Sequence, residues 1–150
     1  MRLSEALGLV WDDIHLDHEY PHINLKPYPW RRLKTLSSKR LIPLVGVALK
    51  AINLMHCQRS NRFLFPSYAS KEGCNGNSCS ATTNKWLKQF SADFVVHSFR
   101  HSFRDRLRDA EVQSELIDQL GGWSNKTVGR NYGKGYSIKL LNETLNKISK

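Results

Sequence analysis

The residues best suited to chemistry lie on one predicted helix near residue 100. Four basic residues recur there at intervals of three or four, about one helical turn: His97, Arg100, His101 and Arg104. An apolar stripe runs beside them: Phe99, Phe103 and Leu107. Arg100 borders that stripe, so its guanidinium is expected to be half-desolvated and rigid, which suits bidentate hydrogen bonding to a phosphate. From this helix alone, a solvated basic face remains the alternative.

Two of the same residues could also be metal ligands. His97 and His101 have the i, i+4 spacing of a zinc-binding pair, but neither an acidic base between them nor a third ligand is evident. The three cysteines Cys57, Cys74 and Cys79 form no even disulfide framework and are expected to be reduced thiols. We therefore expect neither a metal site nor a cofactor.

Composition points to a polyanionic partner. The 150 residues include 23 Lys+Arg against 13 Asp+Glu, a net charge of +10. This excess favours nucleic acid, with acidic lipid as the second choice. A hydrophobic content of 40% is ordinary for one globular domain. No apolar run approaches the ~18–20 residues of a membrane span, so the sequence predicts a soluble cytoplasmic protein.

Helical periodicity dominates the elements that must position these residues. Leu3, Leu7 and Val10 predict a helix over about residues 2–10, and alternation within 22–44 predicts two or three antiparallel strands. Further helices are predicted over about 45–55, 81–90, 97–110, 112–120 and 124–132, with a last one capped by Ser137. Residues 67–80 are polar and glycine-bearing, which is typical of a loop that does not pack. The predicted class is α+β, mainly α-helical, with one small antiparallel sheet.

Five ordered segments then carry a family resemblance. They are RLSEAL running to WDDI (2–14), KTLSSKRLIPL (34–44), HSFRHSF (97–103), LGGW (120–123) and Tyr132. Together they resemble the tyrosine recombinase (phage integrase) family, whose active site runs Arg, Lys, His-x-x-Arg, His or Trp, Tyr. The match covers nearly all of the chain. It implies a helical catalytic domain over residues 1–150, with the start of that domain and an N-terminal core-binding domain missing.

The resemblance implies a DNA-cutting mechanism. Tyr132 would attack the scissile phosphorus and become joined to the DNA 3′ end, and His97 would move the proton. Arg2 and Arg100 would hold the non-bridging oxygens and neutralise developing charge. Tyr136 is the rival nucleophile, but the nine-residue step from the tryptophan favours Tyr132.

Supporting roles follow from the same resemblance. Lys34 would protonate the departing 5′ oxygen, Trp123 would fill the His/Trp position, and Glu5 would orient the catalytic side chains. Trp123 as core alone, and Glu5 as simple helix-end charge, are the alternatives. DNA contacts are predicted for six further basic residues: Arg31, Arg32, Lys39, Arg40, His101 and Arg104.

The implied partner is a double-stranded attachment or crossover site, bound in the cytoplasm by a prokaryotic or phage-encoded recombinase. A homo-oligomer on DNA is expected, with the C-terminal helix (137–149) docking either on a neighbouring protomer or on its own domain. Two other functions stay open. A type IB topoisomerase would relax supercoils as a monomer, and a non-catalytic remnant would bind DNA in a salt-sensitive way without a covalent adduct.

Overall fold

The computed structural model describes residues 1–123 and 135–149. Its helices within these ranges are α1 (Leu3–Leu7), α2 (Gly46–Cys57), α3 (Gly76–Leu87), α4 (Ser98–Asp109), α5 (Ser114–Gly121) and α6 (Ile138–Asn146). Its strands are β1 (Ile14–His15), β2 (His22–Leu25), β3 (Arg40–Pro43), β4 (Ala69–Ser70) and β5 (Gly73–Cys74). The predicted class, α+β and mainly helical, is confirmed.

The larger sheet has three antiparallel strands in the order β1-β2-β3. Ile23 of β2 lies opposite Ile14 on one side and Ile42 on the other, and Leu25 lies opposite Arg40. Two strands fall within the predicted range, but β1 precedes it. The basic segment around Leu33 lies within the range predicted to form strands, but it belongs to the long connection between β2 and β3.

Two larger apolar clusters and a smaller third one, formed by Val10, Phe63 and Ala69, hold the described chain together. The first joins the sheet to α2 through buried residues: Leu9, Ile23, Leu25, Leu44, Ile52 and Leu64. The second joins α4, α5 and α6: Leu107, Leu116, Ile117, Leu120, Leu141 and Leu145. Burial of several such side chains, each contributing about 1.5–3 kcal/mol, holds α4, α5 and α6 together, and both α5 and α6 contact β3. The site described below lies where α5 meets β3.

The C-terminal helix packs on its own domain. Ser137 caps α6 by accepting a hydrogen bond from the Leu140 backbone N–H at 3.3 Å, as predicted. Leu141 and Leu145 are buried in the second cluster, and α6 also lies against β3. Of the two packings considered for this helix, the intrachain one is therefore the arrangement present in this chain.

The polar segment 67–80 was predicted wrongly as an unpacked loop. It contains the β4–β5 hairpin and the first turn of α3. Asn75 caps that helix by accepting a hydrogen bond from the Ser78 N–H at 3.0 Å, so α3 begins at Gly76 rather than near residue 81. Cys79 is buried, and the three cysteines are free thiols.

Helices α4 and α5 match their predicted positions closely. The apolar stripe of α4 is only partly buried, because Leu107 is inaccessible, whereas Phe99 is 62% exposed. Gly122 ends α5 in the left-handed conformation with φ +64°, which glycine adopts readily at the end of a helix. The helix predicted from Ser124 to Tyr132 lies outside the described residues. No helix within the described ranges is long and apolar enough to cross a bilayer.

Candidate active site

A buried carboxylate lies at the centre of the predicted site. Glu5, in the first turn of α1, is 1% exposed. Its Oε2 accepts a hydrogen bond from the Arg2 backbone N–H at 2.9 Å, closing the first turn of the helix, and its Oε1 accepts one from Arg2 Nη1 at 2.7 Å. Arg40 Nη2 lies 3.6 Å from Oε2. Glu5 therefore joins two guanidinium groups.

Opposing effects act on the pKa of Glu5. Burial alone would raise it, but the backbone and side-chain hydrogen bonds from Arg2 and the charge of Arg40 outweigh burial. The pKa of Glu5 therefore lies below its usual value of 4.5. The carboxylate is ionised at neutral pH and partly compensates the positive charge around it.

Arg40 is an internal residue. Its Nε donates to the Leu120 carbonyl at 3.0 Å and its Nη1 donates to the Ser38 carbonyl at 2.7 Å. Burial, together with the charges of Arg100 and Arg2, lowers the pKa of Arg40 to about 10 against the raising effect of Glu5. The group still carries its charge at neutral pH. Its burial argues against the predicted role of Arg40 as a surface DNA contact.

Arg2 reaches the connection between β2 and β3. Besides its bond to Glu5, Nη1 donates to Ser38 Oγ at 2.9 Å. Ser38 is fully buried, and its hydroxyl also lies 3.1 Å from Thr35 Oγ1. The side chain of Lys34, one residue before Thr35, is exposed. The lysine is thus free to reach an external ligand beside a segment that is anchored to Arg2.

Arg100 enters the site from α4. Its Cζ lies 4.3 Å from the centre of the Trp123 ring, a cation–π contact. Burial lowers the pKa of Arg100, and the nearby charge of Arg2 lowers it further. The buried Nη2 of Arg100 has no hydrogen-bond partner among residues 1–123 and 135–149.

The turn after α5 brings Trp123 under Arg100. A Cβ on Gly121 would lie 1.7 Å from the Trp123 ring, so only glycine leaves room for the indole. Arg104 also contacts this ring, at 5.1 Å, and pairs at 3.9 Å with the buried Asp118. Arg104 was predicted to contact DNA, but it is half-buried and its guanidinium pairs with Asp118 of α5.

The remaining basic residues divide into surface and interior positions. His97 precedes α4 directly and is exposed, with its ring 4.8 Å from that of His101. Four further residues of the predicted site are also exposed: Lys34, Arg32, Lys39 and His101. Arg31 is instead 2% exposed, and its Nη1 pairs with Asp13 Oδ2 at 2.8 Å. This burial argues against the predicted DNA contact at Arg31.

Of the two candidate tyrosines, the structure describes only Tyr136. Tyr132, the predicted nucleophile, lies outside the described residues. Tyr136 is half-buried beside the second apolar cluster, and its hydroxyl donates to Glu115 Oε2 at 2.9 Å. Glu115 lies in the first turn of α5.

The structure thus brings together Arg2, Glu5, Arg100 and Trp123, which sequence reasoning assigned to one site. It adds Ser38 and Arg40, whose inward roles were missed. The inward position of Arg40 follows from the register of the sheet. Arg40 lies opposite the buried Leu25, and residues opposite each other in an antiparallel pair share a face. That register is not readable from the sequence alone.

Comparison with known protein families gave one finding. A family model described as "Phage integrase family" matches residues 1–136. Comparisons with curated proteins and with solved structures gave no match. Within the described residues, no group of three or more His, Cys, Asp or Glu side chains is placed to hold a metal ion.

Proposed function

The chain belongs to the phage integrase family, and we propose that it is a site-specific recombinase. In this proposal it cuts and rejoins DNA strands through a 3′-phosphotyrosine intermediate formed on Tyr132. The observation that carries the proposal is the buried, unpartnered Nη2 of Arg100 beside the charge of Arg2.

A guanidinium in this position favours an anion. A buried N–H group without a partner costs about 1–3 kcal/mol, and more when the group is charged. Glu5 contributes one negative charge, whereas Arg2, Arg40 and Arg100 contribute three positive charges around it. The cluster therefore keeps a net positive charge, which a phosphodiester would compensate.

The positive charge of the cluster would compensate negative charge that develops on the phosphate during the reaction. The Tyr132 oxygen bonds to phosphorus before the bond to the 5′ oxygen is fully broken. The pentavalent phosphoryl group therefore carries one more negative charge than the phosphodiester it forms from. Donors aimed at that charge are typically worth about 3–4 kcal/mol each. In this proposal Arg2 and Arg100 donate to the two non-bridging oxygens.

Proton transfers fall to the exposed residues at the edge of the cluster. We assign His97 to the tyrosine hydroxyl, whose ordinary pKa near 10 makes it a poor nucleophile without a base. Lys34 donates to the departing 5′ oxygen. Trp123 holds the Arg100 guanidinium through its ring face.

Assembly of several copies on DNA belongs to the same proposal. Because α6 packs on its own domain, this helix would have to leave that core to bridge two protomers.

Covalent capture tests the proposal without a known target. Wild-type protein is incubated with a randomised duplex library that carries a nick, so that cleavage near the nick releases a short strand and traps the enzyme. SDS-resistant complexes are then purified and their DNA is sequenced. We expect an enriched sequence motif and adducts with wild type and Tyr136→Phe, but not with Tyr132→Phe.

Other outcomes select other functions. Adduct loss only in Tyr136→Phe would keep the chemistry but overturn the nucleophile. Adducts without an enriched motif, together with relaxation of supercoiled DNA by the monomer, would indicate a topoisomerase. Salt-sensitive DNA binding by the folded protein without any adduct would indicate a non-catalytic DNA-binding protein.

A further inference from the structure

We propose that Arg40 is a positioning residue that holds both phosphate-binding arginines in place. It acts on Arg2 through Ser38 and Glu5, and on Arg100 through the turn that carries Trp123. This inference rests on the proposed function, because it assigns Arg40 a task within that site. Arg40 does not itself touch the phosphate, since its side chain is 3% exposed.

The first step is the geometry of the guanidinium. Its three nitrogens point to three segments that are distant from one another in sequence. Nε and Nη1 donate hydrogen bonds to the Leu120 and Ser38 carbonyls, and Nη2 forms an ion pair with Glu5 at 3.6 Å without a hydrogen bond. A guanidinium is planar and rigid, so contacts in three directions fix the relative placement of the groups that make them. Here those groups belong to α5, to the connection before β3, and to α1.

The second step leads to Arg2. The Ser38 backbone is held by Arg40 at 2.7 Å, and the Ser38 hydroxyl accepts from Arg2 Nη1 at 2.9 Å. Glu5 accepts from Arg2 Nη1 at 2.7 Å and faces Arg40 through its other oxygen. Arg2 is therefore placed by two groups, and both of them contact Arg40.

The third step leads to Arg100. Gly122 lies against the Arg40 guanidinium, because a Cβ at this glycine would come within 2.4 Å of Nη1. Together with the bond to Leu120, this contact anchors the end of α5. Trp123 follows directly, and its ring supports Arg100 at 4.3 Å. Removal of Arg40 would loosen the support of Arg100 without touching Arg100 itself.

The test uses the full chain and two independent readouts. The first is the Kd for tungstate, a tetrahedral dianion, measured by titration calorimetry, which requires the arginine cluster but no cleavage. The second is the single-turnover rate of adduct formation at saturating DNA, on a nicked duplex obtained by the covalent capture described above. Both are expressed per folded molecule, with folding measured by circular dichroism and Tm.

The variants distinguish the loss of positioning by Arg40 from the loss of its charge and from a general loss of stability. Arg40→Met removes the whole guanidinium, and Arg40→Lys retains the charge but offers a single nitrogen. Arg31→Met is the matched control, because Arg31 is as deeply buried, also bonds to two carbonyls and pairs with a carboxylate, but lies outside the cluster.

We expect Arg40→Met to raise the tungstate Kd about tenfold and to lower the adduct rate about 100-fold, the effect typical of a displacement of about 1 Å in a catalytic group. Arg40→Lys should remain at least roughly tenfold below wild type in rate. Arg31→Met should lower the Tm while changing neither readout more than about twofold, since it removes no contact of the cluster.

Wild-type behaviour of Arg40→Lys in both readouts would overturn the inference, because charge alone would then suffice. Equal losses in Arg31→Met and Arg40→Met would also overturn it, because the effect would then be one of general stability. If Arg40→Met does not fold, the comparison of Arg40→Lys with wild type decides the question. If wild type forms no adduct, the proposed function fails, and the tungstate readout still decides whether Arg40 positions the two arginines.

Discussion

Replacing Glu5 with glutamine tests the buried charge cluster most simply. The substitution keeps the size and shape of the side chain and removes one negative charge from a position that is 1% exposed. It leaves Arg2 and Arg40 without the carboxylate that lies 2.7 Å and 3.6 Å from them, beside the further charge of Arg100. The three positive charges would then be uncompensated within the described cluster.

The expected loss of stability can be worked from these contacts. Breaking a buried ion pair by removing one partner typically costs about 3–5 kcal/mol. Arg2 is 28% exposed, so water screens part of its charge, and the lower end of the range applies. We expect Glu5→Gln to lower the free energy of unfolding by about 3 kcal/mol at pH 7. For a chain of this size that corresponds to a fall in Tm of about 6–12 °C.

The same substitution should change the response to acid. The pKa of Glu5 in the folded protein lies below 4.5, its ordinary value, so ionised Glu5 stabilises the fold above that pH. This stabilisation is lost as pH falls through the depressed folded-state pKa, because the group binds its proton more readily in the unfolded chain. The difference in Tm between wild type and Glu5→Gln should therefore stay constant from pH 7 down to about pH 5 and shrink as the pH falls further, below the ordinary pKa of 4.5.

Differential scanning calorimetry across this pH range is the assay. Asp12→Asn is the control, because its pair with Arg62 spans 3.9 Å between exposed side chains and should contribute less than about 1 kcal/mol. The reasoning is refuted if Glu5→Gln and Asp12→Asn shift the Tm equally at pH 7. It is refuted as well if the Glu5→Gln difference persists unchanged at acid pH.

Two further substitutions probe the turn after α5. Gly122→Ala places a side chain at φ +64° and within 2.4 Å of Arg40, so we expect a loss of about 2–3 kcal/mol and a slower adduct reaction. Gly135→Ala, at φ +73° beside the Gln119 side chain and away from Arg40, should show the backbone strain without the loss of rate. Trp123→Phe weakens the ring support of Arg100 and should lower the adduct rate about tenfold, which corresponds to about 1.4 kcal/mol. Trp30→Phe, whose ring lies under Arg62 outside the cluster, should react like wild type. These expectations fail if each variant and its control react at the same rate.

The helices of the C-terminal half were predictable because their signals are local. Apolar residues at helical spacing, the cap at Ser137 and the glycine stop at Gly122 each act within one or two turns. Arg2, Glu5, Arg100 and Trp123 were predicted from their ordered motifs, and the fold brings these four residues together.

The features missed by sequence depend on distant partners. Arg31 and Asp13 are 18 residues apart, and Arg40 and Leu120 are 80 apart. A basic residue with such a partner is indistinguishable in sequence from one on a solvated surface, so both arginines were predicted to bind DNA. Strand β1 has only two residues, too few for alternation to mark it, and its pairing with β2 depends on the fold around it.

The most direct measurement of the central proposal is the identity of the residue joined to DNA. Trypsin cleaves after Arg130, Lys134 and Lys139, so Tyr132 and Tyr136 fall on separate peptides, 131–134 and 135–139. The captured adduct is digested with nuclease and trypsin, and its peptides are sequenced by mass spectrometry. We predict a nucleotide remnant on Tyr132 in peptide 131–134. A remnant on peptide 135–139, or folded DNA-bound protein that never acquires one, would contradict the proposal.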